Sequence, residues 1–182
     1  MALTEQLAEY VRACFTAIWI ETHEQHEAAA AIAQLCQREQ WRLATWNIDQ
    51  GLRVGGSAVE QSGGDPLAAI RSVNSLATAD GTALLVLENF HRFLSSAEVV
   101  QALSQQILAG KQNRTIVVIL APVVQLPVEL DKLFVVLEHD LPDRDQLAEI
   151  ARGIATEAAE LPGGTELETV LDAAAGLTRL EA

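Results

Sequence analysis

The run Ala83-Leu84-Leu85-Val86-Leu87 constrains this chain more than any other stretch, because five consecutive apolar residues leave no polar face. It is short for a helix and follows the turn signal Asp80-Gly81, so it reads as a central strand buried on both sides. Glu88 stands at its exit, then Asn89, then the aromatic and basic residues Phe90-His91-Arg92-Phe93. A carboxylate there sits where open parallel sheets bind ligands, beyond the carboxyl ends of the strands.

The rest of the sequence supplies neighbours for that strand. A helical pattern from Thr4 to Phe15 leads into a first strand, Ala17 to Glu21. Thr22 is placed to cap the next helix, whose first turn carries Glu24 and Glu27 and which runs to about Gln40. Trp41 to Ile48 reads as a second strand. Gln50 to Pro66 holds five glycines and reads as the longest loop. Asp65 as cap and Pro66 at the first helical position then start a helix. Beyond the central strand, Ser95 or Ser96 caps a helix that Gly110 ends. Arg114 to Leu120 is a fourth strand, Leu133 to Leu137 a fifth, and Pro142-Asp143-Arg144 opens a helix to about Glu157. Five strands alternating with helices predict a three-layer α/β fold, a parallel five-stranded sheet covered on both faces. After Leu161-Pro162-Gly163-Gly164 a helical segment begins, giving an α/β domain over 1–160 and a partial helical lid over 161–182.

Charge narrows the partners. Twelve basic against twenty-five acidic residues leave −13, with no basic run, which excludes nucleic acid as a main partner. No apolar run approaches the ~20 residues needed to span a bilayer. The N-terminus carries acids where a secretion signal carries bases, and Cys14 and Cys36 read as buried reduced thiols, so a cytoplasmic location is expected.

With this order of elements the chain resembles the AAA+ ATPase superfamily. The specific stretches are Leu126-Pro127-Val128-Glu129-Leu130-Asp131-Lys132 and Leu141-Pro142-Asp143-Arg144, which match the family's passage from strand four to the helix after strand five. Asp65-Pro66-Leu67-Ala68-Ala69-Ile70, Asn89-Phe90-His91-Arg92-Phe93-Leu94 and the loop from Ala121 to Leu130 are similar to the N-terminal half of little-characterised AAA+ proteins encoded in cyanobacteria and some chloroplast genomes. The resemblance spans nearly all of 16–182. It implies a P-loop NTPase-like sheet, a second and complete AAA+ module following it, ATP and magnesium in the full-length relatives, and a chain cut within its lid at Ala182.

The residues depart from what the resemblance implies. A phosphate loop G-x-x-x-x-G-K-[ST] needs glycines so that backbone N–H groups wrap the phosphates, and a lysine to reach the outer ones. After the first strand stand Glu21-Thr22-His23-Glu24-Gln25-His26-Glu27, with no glycine or lysine and three carboxylates. The one Gly-Lys pair, Gly110-Lys111, reads as a helix stop. Glu88 occupies the magnesium-carboxylate slot, and Asn89 replaces the glutamate that prepares water; an amide cannot take up that proton. Ala121-Pro122 stands where a polar sensor ends strand four, and Lys132 is the only cation in the region of the family's trans-acting arginine.

The expected function is therefore a non-catalytic AAA+-like module, with Glu88 and Asn89 as vestigial Walker-B-like positions and with no cofactor or metal of its own. It would serve assembly or regulation in a larger ATPase, through protein partners, one of them a catalytic AAA+ module. The alternatives are a self-associating interaction module and ATPase activity of the full-length protein through a second module. His23 and His26 with Glu24 and Glu27 read as a solvated helix start in preference to a metal site. Glu88 is expected to pair with Arg92 or Arg114, Phe90 and Phe93 to pack, and the 50–66 segment to be a mobile connection.

Overall fold

The computed structural model describes residues 3–59, 63–79, 81–154 and 162–182. The chain divides into two compact units, Met1–Glu138 and His139–Ala182. Asp80, Leu161 and the end of the helix expected to reach Glu157 lie outside the described residues.

The first unit runs α1 (Leu3–Arg12), β1 (Ala17–Glu21), α2 (Gln25–Glu39), β2 (Arg42–Asn47), β3 (Gly51–Val54), β4 (Ser57–Ala58), α3 (Pro66–Leu76), β5 (Ala83–Glu88), a 3₁₀ turn (Phe90–Phe93), α4 (Ala97–Asn113), β6 (Thr115–Ala121) and β7 (Val135–Glu138). The strands lie in the order β4-β3-β2-β5-β6-β1-β7. The five strands expected from sequence, β1, β2, β5, β6 and β7, are mutually parallel, while β3 and β4 add to the β2 side in antiparallel sense. The sheet is thus mixed and seven-stranded, not purely parallel and five-stranded.

Period-two alternation sends each central strand's side chains to both faces. Leu85 and Leu87 of β5, Val117 and Ile119 of β6, and Trp19 of β1 pack with α3, α4 and the 3₁₀ turn. Leu84 and Val86, Ile116, Val118 and Leu120, and Ile18 and Ile20 pack with α1 and α2 on the other face. Every residue of β6 is buried, as a central strand between two helical layers requires. Asp65 caps α3, its Oδ1 accepting from Leu67 N at 2.9 Å with Pro66 at the first helical position, and Ser96 caps α4.

Three local expectations change. The glycine-rich segment after β2 forms a hairpin, because Gly55 and Gly56 both take positive φ (57° and 84°), the pair of angles a two-residue hairpin turn needs. Gly110 lies inside α4, against Thr16 and the Thr115 carbonyl, and the helix ends at Arg114 in the left-handed conformation. Cys36 is buried, but Cys14 is exposed in a left-handed turn after α1.

In the second unit, α5 (Arg144–Ile154) and α6 (Thr165–Ala174) pack through Leu147, Ala148 and Leu171. Asp143 and Gln146 form a reciprocal cap, with Asp143 Oδ1 accepting from Gln146 N and Gln146 Oε1 from Asp143 N, each at 2.9 Å. Arg144 ties the two helices together, pairing with Glu168 and Asp172. None of the helices among the described residues is long and apolar enough to cross a membrane.

Candidate functional site

The carboxyl ends of β1, β2, β5 and β6 carry the residues singled out by sequence. After β1 the chain turns into α2 within three residues, Thr22, His23 and Glu24. Thr22 N donates to Ala121 O at 2.8 Å and extends the β1–β6 ladder past the strand end. Its hydroxyl accepts from Glu24 N at 3.0 Å, which folds the turn inward. The cap position of α2 is Glu24, not Thr22, and the Glu24 side chain is buried with 8% exposure. His23 and His26 are exposed, His23 in the turn and His26 in the helix, so they do not share a helix face. No group of three His, Cys, Asp or Glu among the described residues could hold a metal ion.

The exit of β5 faces this turn. Asn89 sits in the left-handed region (φ 54°), a conformation that asparagine tolerates better than most residues. Its side chain exchanges two hydrogen bonds with Gln25, the first residue of α2: Gln25 Nε2 donates to Asn89 Oδ1 at 2.7 Å, and Asn89 Nδ2 donates to Gln25 Oε1 at 2.8 Å. Glu88 accepts from Asn47 Nδ2 at 3.0 Å, and Asn47 Oδ1 in turn accepts from Gln50 N at 2.7 Å. Neutral amides therefore link the end of β2, the end of β5 and the start of α2. Chemically they lock geometry; none of them can act as a base.

Below this edge, Phe90, Phe93 and Trp46 form an aromatic cluster with ring centroids 5.4–5.5 Å apart. His91 is buried beside it, and its Nδ1 has no hydrogen-bond partner among the described residues. Burial lowers the imidazole pKa below its usual 6.5, and the neighbouring Arg92 charge lowers it further.

Residues 3–139 match the family described as SpoVK-like AAA ATPase, N-terminal domain. The chain belongs to this family. Among solved structures, Caenorhabditis elegans PCH-2 superposes with a TM-score of 0.64 at 13% identity, over 98% of this chain and 59% of that one. The chain thus spans about three-fifths of the PCH-2 length, and the likeness supports the α/β fold. Drosophila ORC bound to poly(dA/dT) DNA and Cdc6 gives 0.45 at 11% identity, over 83% of this chain and 30% of that one. No curated protein sequence matches.

In this SpoVK-like N-terminal domain, Glu88 and Asn89 lie at the strand exit the sequence assigned to them, but their partners differ from expectation. Glu88 meets Asn47 instead of Arg92 or Arg114. Arg114 sits at the opposite, amino-terminal edge of the sheet, where it donates to Thr82 Oγ1 at 3.1 Å. Asn47 and Gln25 were not singled out by sequence. Each is an unremarkable amide at an element end, and only the strand order places Asn47 beside Glu88 and Gln25 opposite Asn89.

Proposed function

We propose that this chain is a non-catalytic AAA+-like module that serves assembly or regulation within a larger ATPase. The observation that carries the reading is the closed edge: a three-residue turn joins β1 to α2, and the Gln25–Asn89 amide pair occupies the space beside it. A phosphate cradle needs a longer glycine-rich loop whose N–H groups converge on the ligand, ahead of a lysine at the helix start. Here the helix start carries Glu24 and Glu27, which repel a polyphosphate. Glu88 and Asn89 act as vestigial Walker-B-like positions with structural duties. In this reading the unit Met1–Glu138 is the α/β module, and the unit with α5 and α6 begins a helical lid. ATP and magnesium belong to a catalytic AAA+ module that this one positions or joins.

Isothermal titration with Mg-ATP tests it. No heat of binding is expected from the isolated chain. Low-micromolar binding that Glu88→Ala removes would overturn the reading.

A further inference from the structure

A cavity of about 580 Å³ opens at the sheet edge opposite Glu88, between the end of α2, the start of β2 and the β3–β4 turn. Its size falls within the ~300–1,000 Å³ range of small-molecule sites. Local backbone geometry accounts for it. Gln40 ends α2 in the left-handed conformation (φ 58°), its N–H directed to the carbonyls of Cys36 and Gln37, and so sets Trp41 at the lip. Across the opening, a Cβ at Gly55 or Gly56 would meet nothing within 4 Å, so the turn leaves the mouth clear. Cys36 and Leu43 from the α2 face of the sheet, and Val54 and Leu76 from its α3 face, together supply an apolar floor. Burial pushes the Cys36 thiol up to about 12, which keeps that floor uncharged.

Two side chains at the lip give the cavity its chemistry. Trp41 is partly buried and offers an indole face. Arg42 is exposed and has no ion pair among the described residues, although the chain carries twenty-five acids. Its guanidinium makes one long hydrogen bond, 3.4 Å, to the Leu76 carbonyl. An indole stacks a flat ring, and a guanidinium with spare donors pairs with a carboxylate.

The geometry points to a binding site for a small planar aromatic anion, its ring held against Trp41 over the apolar floor and its carboxylate paired with Arg42. The site is independent of nucleotide chemistry at the strand exits.

The probe is 1-naphthoate, with neutral 1-naphthamide as control, titrated into the full chain and followed by two-dimensional NMR. Of three tryptophans, Trp19 and Trp46 are 0% and 1% exposed, so the Trp41 indole N–H, assigned with Trp41→Phe, reports the site. Naphthoate should shift the Trp41 indole and the Gly55 and Gly56 amides saturably, and naphthamide should bind about tenfold more weakly. Arg42→Gln should erase that preference. Ala33→Phe, from an exposed position on the cavity wall, should weaken both probes at least about tenfold. Gln37→Phe, a second exposed wall position, provides the same block if Ala33→Phe fails to fold. Three results would each overturn the site: no saturable shift at Trp41, equal affinity for the two probes, or wild-type binding by the folded blocking variants.

Discussion

The interior of the sheet and the edge where its strands end are built on different terms. Inside, β5 and β6 carry side chains into two apolar layers, and nothing there depends on ligand chemistry. At the edge, a three-residue turn, an amide pair and an Asn47–Glu88 bond tie the strand exits to the start of α2 through polar groups. The difference teaches that the two apolar layers account for how the sheet is packed, whereas its strand exits are held by side-chain amides. Its strand exits are free to change as long as their polar groups find partners.

Substitutions on the two sides should separate accordingly. Leu85→Ala, at a fully buried position of the central strand, should cost about 3 kcal/mol in urea unfolding, through lost burial and a cavity. A loss below about 1 kcal/mol would mean that the interior is not the seat of stability. At the edge, Asn89→Ala should cost about 1–2 kcal/mol, from the left-handed backbone and the lost amide pair. It should leave the chain unable to bind Mg-ATP; if calorimetry instead detects tight nucleotide binding once the amide is gone, the edge was occluded, not dismantled.

The smallest effect is expected at His91, at the boundary between the two. Its pKa is lowered in the fold, so the unfolded chain binds more protons between that lowered value and about 6.5. Its contribution to stability is therefore present above 6.5 and lost as pH falls through that window. The urea midpoint of His91→Gln should depend less on pH than that of the wild type between neutrality and mild acid. Parallel profiles would show that the imidazole is not desolvated.

Much of the interior was legible because apolar runs leave few alternatives; β1, β5 and β6 follow from them, and β2 and β7 from shorter stretches of β-forming residues. The β3–β4 hairpin was missed because glycines dominate its segment and outweighed a short alternation, Leu52 in and Arg53 out, that marks a strand. Gly51 is itself a sign of the hairpin: it takes φ 67°, and a Cβ there would approach the Gly63 carbonyl to 2.8 Å. The three carboxylates between Glu21 and Glu27 were plain from the sequence, and the structure adds that they stand at a three-residue turn into α2. The partners of Glu88 and Asn89 were not legible. They come from segments 41 and 64 residues away in sequence, and strand order, which local pattern does not encode, brings them together.

The shortness of the β1–α2 turn bears on how this protein can evolve. Exchanging side chains one at a time cannot lengthen a backbone, so on the proposed non-catalytic reading a gain of triphosphate chemistry would demand inserted residues together with release of Gln25 from Asn89. Either change alone would disturb packing with nothing gained in exchange. On the proposed reading, such a turn would work as a ratchet.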